Sequence, residues 1–185
     1  MNKLSVFVLA IFLLLGAALW GLANVSFLEY FKSQLSSISQ AAIGYETQVE
    51  ALTISKISGE LKNLKVIDKE NTLINITHVS YLINEKSLKS ETIEIEHMVL
   101  TQFSSNLLTP EKKAVMITSI DSYLNKNKSP LTNASPMPRF IIKNVSINNA
   151  NHEQEIPLNS TIMNEGLPAD EVFLSLFKEI LTQQL

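Results

Sequence analysis

The chain has 185 residues, 45% of them hydrophobic, with 15 lysines and arginines against 18 aspartates and glutamates and not one cysteine. That length suits one domain with one core and leaves little room for a multidomain enzyme. A net charge of −3 without long runs of one sign excludes the electrostatic footprint of nucleic-acid binding, and the missing cysteines exclude disulfides, thiolate metal sites and an acylated-cysteine anchor.

After Met1-Asn2-Lys3, the run LSVFVLAIFLLLGAALWGLANVSFL from Leu4 to Leu28 carries no charge. Leu4–Ala23 alone, about 20 residues at 1.5 Å each, reaches about 30 Å and can cross a hydrocarbon core. Leu4, Phe7, Leu9, Phe12 and Leu14 would lie in lipid, with Trp20 near the far interface. A cleaved signal peptide is the competing reading, since Lys3 supplies a positive start and Gly21-Leu22-Ala23 a small-residue site. The retained anchor is favoured because the apolar run outlasts an ordinary signal core and resumes at Val25, Phe27 and Leu28. Lys3 then keeps the N-terminus in the cytoplasm and sends the body across. The expected division is 1–28 anchor and 29–185 a single exported domain.

Phe27, Phe31, Leu35, Ile38 and Ala42 recur at helical spacing, so an amphipathic helix is predicted to continue from the anchor and stop at Gly44. Strands are predicted at Thr47–Ser55, Glu60–Asp68, Leu73–Ile83 and Glu91–Phe103, an antiparallel meander joined at Ser58-Gly59, Glu70-Asn71 and Lys86–Ser90. In the last of these, Ile93, Ile95, His97, Val99, Thr101 and Phe103 share one parity. Thr109-Pro110-Glu111 reads as the start of a middle helix running to about Asn125. The stretch NKNKSPLTNASPMPR holds three prolines and marks a flexible linker near 126–139. Two more strands are predicted, over RFIIKNVSINNA and around Ile156–Met163, giving about six in all. A C-terminal helix then carries Phe173, Leu176, Phe177, Ile180 and Leu181 in one apolar stripe, which is more often a cover for a sheet than a ligand groove. The fold class is therefore α+β, with a mostly antiparallel sheet and three helices beyond the anchor.

Chemistry is hard to find. His78, His97 and His152 lie far apart in sequence without zinc-helix spacing; His78 and His97 could meet only across neighbouring strands, where an ordinary polar position is the plainer reading. Glu94 and Glu96, two apart on a strand, read as a solvated face rather than an acid–base pair. G-x-S-x-G, G-x-G-x-x-G and P-loop patterns are absent, and five glycines leave little for a phosphate-cradling loop. The expectation is a protein that is not an enzyme and uses no cofactor or metal. The apolar strand positions Val49, Ala51, Leu64, Val66, Ile93, Ile95 and Val99 are the candidates for a lipid-facing or core-facing wall.

The order of anchor, AAIGYETQVEALTIS, ISGELKNLKVID and INITHVSYLINEKSLKSETIEIEHMVLTQ resembles the N-terminal module of the AsmA-like proteins of the bacterial envelope, in a short single-module form. The pattern elements fall on Gly44, Gly59, Leu64, Val66, Leu88, Ile93, Ile95 and Val99, and the closing RFIIKNVSINNANHEQEIPLNSTIMNEGLPADEVFLSLFKEIL is similar to the end of short relatives. Ile67-Asp68-Lys69-Glu70 departs from the asparagine-proline element that often follows the second strand. The resemblance implies a curved sheet with an apolar inner face, tethered to the inner membrane as a single-pass protein with its body in the periplasm, and a role in envelope and outer-membrane biogenesis or lipid transport. Six strands at about 4.8 Å span only about 30 Å, too short to bridge a periplasm. The expected partners are the inner membrane together with a phospholipid acyl chain or another envelope protein. Two readings stand side by side: lipid handling on an apolar sheet face, and a ligand-free module that docks on a larger complex.

Overall fold

The computed structural model describes residues 39–126, 139–149 and 152–183. The anchor, the first part of the predicted amphipathic helix and the linker lie outside the described residues. Its last turn, at 39–43, is helical and ends where expected: Gly44 adopts φ 81° and its N–H donates to Gln40 O at 3.2 Å. Glycine bears that left-handed conformation without a Cβ penalty.

Seven strands form one sheet: β1 Glu46–Gln48, β2 Ala51–Ile54, β3 Ser58–Asp68, β4 Asn71–Ile83, β5 Thr92–Ser104, β6 Arg139–Asn149 and β7 His152–Glu155. Their order is β1-β3-β4-β5-β6-β7, with β2 also on β3. All pairings are antiparallel except β5 with β6, whose connection carries helix α1, Pro110–Lys126. A parallel pair needs such a long crossover, which explains why the middle helix interrupts the strands. Thr109 caps α1 through its O, which accepts from Lys113 N at 2.9 Å, and Pro110 takes the first helical position, where its missing N–H costs nothing. Helix α2 is Ala169–Gln183. The core between sheet and helices includes Val66, Ile74, Ile95, Phe140 and Ile142 from strands, Met116 and Ile120 from α1, and Val172 and Leu181 from α2, all at most 1% exposed.

Three predicted boundaries are corrected. Ser58-Gly59 is not a turn but the start of β3; the chain reverses at Ser55–Ile57, where Ser55 N donates to Ser58 O at 2.8 Å. The expected strand at Ile156–Met163 is instead β7 at His152–Glu155 followed by a short π-helical turn at Thr161–Glu165. Pro157 has no N–H for a ladder, and the Asn159 side chain accepts from Ile162 N at 3.0 Å, so local polar chemistry outcompetes the weak apolar pattern. The single strand expected at Thr47–Ser55 is split into β1 and β2, so the sheet has seven strands rather than about six.

The split belongs to a crease that crosses four strands. β1 and β2 meet β3 in one continuous register, Gln48 on Lys65 and Ala51 on Lys62, which places Glu50 opposite Asn63. The β3–β4 register runs through Lys62–His78 and Leu64–Ile76 without pairing Asn63 with Thr77, and β4–β5 runs through His78–Thr101 and Ile76–Phe103 without pairing Thr77 with Gln102. Asn63 and Gln102 sit at φ 50° and 55°. At this row each strand changes the parity of its inward face. Val49, Leu64, Ile76 and Phe103 line one side, and Leu52, Leu61, Val79 and Leu100 the other, every pair three residues apart. A second switch touches β5 and β6, where Ile95 and Ile142 precede Met98 and Val145. Glu96 is there an extra residue opposite β4, and its carbonyl accepts from the Asn144 side chain at 3.1 Å.

A left-handed φ costs a non-glycine residue roughly 1–2 kcal/mol, and most for a β-branched one. Gln102→Gly is therefore expected to be neutral or to stabilise by up to about 1 kcal/mol, while Gln102→Val destabilises by about 1–2 kcal/mol. Urea unfolding of the two variants measures the difference; a valine variant as stable as the glycine one would contradict the crease.

Candidate functional site

The candidate wall divides at the crease and at the second switch. Val49, Val66, Ile93 and Ile95 are buried at 7, 1, 3 and 0% exposure, and Leu64 packs against the same core. Ala51 and Val99 do not belong with them. Ala51 pairs with exposed Lys62 on the opposite face, and the inward residue of that strand is Leu52, register partner of Leu61. Val99 pairs with Ser80 and Ser146, while its neighbours Met98 and Leu100 are buried. Strict alternation from Ile93 carries the count onto Val99; the extra residue Glu96 moves it to Met98 and Leu100.

The C-terminal stripe closes the inner face. Leu176, Ile180 and Leu181 are buried at 3, 2 and 0%, while Phe173 and Phe177 are partly buried against the core. Val172 and Leu174, outside the predicted stripe, are also buried, so α2 is covered over a wider arc than its strongest periodic signal indicates. Lys178 Nζ donates to Asp121 Oδ1 at 2.6 Å and fixes α2 against α1; at about 40% exposure on each side this pair adds little stability of its own. Lys112 Nζ donates to Asp68 Oδ2 at 2.6 Å, which ties the start of α1 to the β3–β4 turn.

The other sheet face is polar. Lys62, His78 and Thr101 form one row across β3, β4 and β5, and Glu60, Ser80 and Val99 the next. His78 Nε2 lies 3.4 Å from Glu60 Oε2 without hydrogen-bond geometry. His97 pairs with Leu82, four positions along β4 from His78, a separation of about 13 Å that no shared metal could bridge. Among the described residues no three His, Cys, Asp or Glu side chains gather at a point. Glu94 accepts from Asn84 Nδ2 at 3.2 Å and helps to shape the turn before β5, whereas it is the backbone carbonyl of Glu96 that accepts from Asn144 Nδ2.

One open depression of about 400 Å³ lies beside the crease, over the register row Lys65–Asn75–Ser104 and under Asn106 and half-exposed Leu107. Asn75 Oδ1 is buried there without a partner. No sequence signal marked these residues, because only the register brings them together. The polar side chains of the lining, Lys65, Thr72, Asn75, Ser104 and Asn106, offer hydrogen-bond donors and acceptors to a bound group.

No helix among the described residues is long and apolar enough to cross a membrane. No family model matches the chain, and no curated protein or solved structure matches it either.

Proposed function

We propose that this chain is a non-enzymatic docking module of the bacterial envelope, held on the inner membrane by its N-terminal segment with its body in the periplasm. The uncharged run from Leu4 to Leu28 and the resemblance to AsmA-like modules support the placement. The observation that carries the choice of docking over lipid handling is the closed inner face. Met116, Ile120, Val172, Ile180 and Leu181, from two helices, are at most 2% exposed against the strands that would otherwise line an acyl groove. An apolar surface already buried against its own helices has no further transfer free energy to give a lipid chain.

Docking then falls to surfaces other than the inner face. The edges are poor templates for strand addition: β1 and β2 have 3 and 4 residues, β7 has 4, and Glu46, Glu153 and Glu155 place charge on them. The polar sheet face and the helix exteriors are the surfaces left for a partner protein.

Native mass spectrometry of the full chain from detergent is expected to give a lipid-free spectrum, and crosslinking in cells a discrete heteromeric adduct. Stoichiometric phospholipid surviving gas-phase activation would overturn the docking reading in favour of lipid handling. Monomer as the sole crosslinked species would count against both a partner and the module's role in a complex.

A further inference from the structure

We infer that the crease is a hinge, and that the strip of sheet beyond it opens as a unit while the remainder stays paired. The strip comprises β1 with Val49, the hairpin from Leu64 to Ile76, and the end of β5 from Phe103.

Three observations converge on the same row. Two successive ladders, β3–β4 and β4–β5, lack a pair there, at Asn63–Thr77 and Thr77–Gln102, so the regular pairing of both is interrupted in one row. The edge strand is divided at the same row, and across the division contact is kept by the Asn63 side chain donating to the Glu50 carboxylate and by Glu50 N donating to Lys62 O at 3.1 Å. Two of the residues in the row, Asn63 and Gln102, occupy the left-handed region, far from ordinary strand geometry, so backbone strain is concentrated in this row. The second switch at Glu96 lacks this character, because β4 alternates regularly past it through Val79, Tyr81 and Ile83 and splints the sheet there.

The strip is held closed from its far end. Asp68, in its turn, accepts from Lys112 on α1, both side chains about 30% exposed, and Val66, Leu73 and Ile74 are buried beneath it. Opening would uncover the apolar row Val49, Leu64, Ile76 and Phe103. The hinge requires no partner and stands apart from the docking proposal.

Native-state hydrogen exchange on the full chain in detergent tests it. In the unaltered protein the amides of Val66, Ile74 and Ile76 are expected to exchange together and faster than those of Ile95, Leu100 and Ile142. Lys112→Met and Asp68→Asn, each removing the latch from one side, are both expected to speed the strip about 2- to 5-fold and leave the second set unchanged. Exchange of both sets at one common rate, acceleration of both sets alike, or no response of the strip to either variant would overturn the hinge as described.

Discussion

Replacing Ile120 by alanine is expected to destabilise the protein by about 2–5 kcal/mol, with no recovery when phospholipid is added. Ile120 is 0% exposed on α1 and belongs to the cluster that joins α1, α2 and the sheet. Truncating it removes the transfer free energy of three carbons and leaves a void that close-packed neighbours fill only in part. The same variant discriminates between the two functional readings. A side chain on the wall of an acyl groove is already solvent- or lipid-facing, and its truncation would cost less than about 1 kcal/mol in lipid-free protein. Thermal and urea unfolding of the two proteins, with and without phospholipid, reads the difference. A small loss reversed by lipid would sink the sealed-core description.

Gly59→Ala is expected to cost about 1–3 kcal/mol, and the loss should largely disappear in a Tyr81→Leu background. Gly59 pairs directly with Tyr81 across β3 and β4, and the phenol ring lies over it. A Cβ built on Gly59 would stand 2.3 Å from Tyr81 Oη and 2.4 Å from Cζ, well inside contact distance. The glycine is therefore required by the close approach of a ring rather than by its own φ, and the ring in return covers backbone that glycine leaves bare. Because Tyr81 Oη is buried without a partner, Tyr81→Phe is expected to be neutral or to stabilise by up to about 1 kcal/mol at neutral pH.

The same phenol gives a pH signature. Burial pushes its pKa up to about 12, whereas an unfolded chain releases that proton near 10. Between those values the unfolded state binds fewer protons than the folded state, so stability falls as pH rises, by about 2–3 kcal/mol in all from this group. Below pH 10 the contribution is fully present. The Tyr81→Phe protein should lack this segment of the alkaline slope, and identical curves for the two proteins would place Tyr81 in solvent.

Much of this architecture was written in local chemistry. Thr109-Pro110-Glu111 marked the start of α1, Gly44 the end of the preceding helix, and the 3.6-residue recurrence of Leu176, Ile180 and Leu181 the buried side of α2. Such signals need no knowledge of neighbours, because caps and amphipathic stripes are made within a few residues. The strands between them were found by alternation, and alternation failed where it was interrupted. Val49-Glu50-Ala51-Leu52, Leu61-Lys62-Asn63-Leu64, Ile76-Thr77-His78-Val79 and Leu100-Thr101-Gln102-Phe103 each place two apolar residues three apart. Taken singly, each quartet fits a turn of helix or a lapse in a strand; their meaning emerges when register stacks them in one row. That row puts Ala51 on the face opposite Val49, and the extra residue Glu96 does the same to Val99 relative to Ile95.

By itself, then, the amino-acid order determined the class of fold, the positions of α1 and α2, the absence of cysteine chemistry and the apolar composition of the strands, all of which follow from spacing and side-chain type. Tertiary structure decided the rest: the parallel joining of β5 to β6, the crease, the depression over Lys65, Asn75 and Ser104, and the closure of the inner face by two helices. These depend on which residues separated in sequence come to lie opposite one another. An apolar strand face reads the same in sequence whether it meets a lipid or a helix; only the packing of Met116, Ile120, Ile180 and Leu181 against it distinguishes the two.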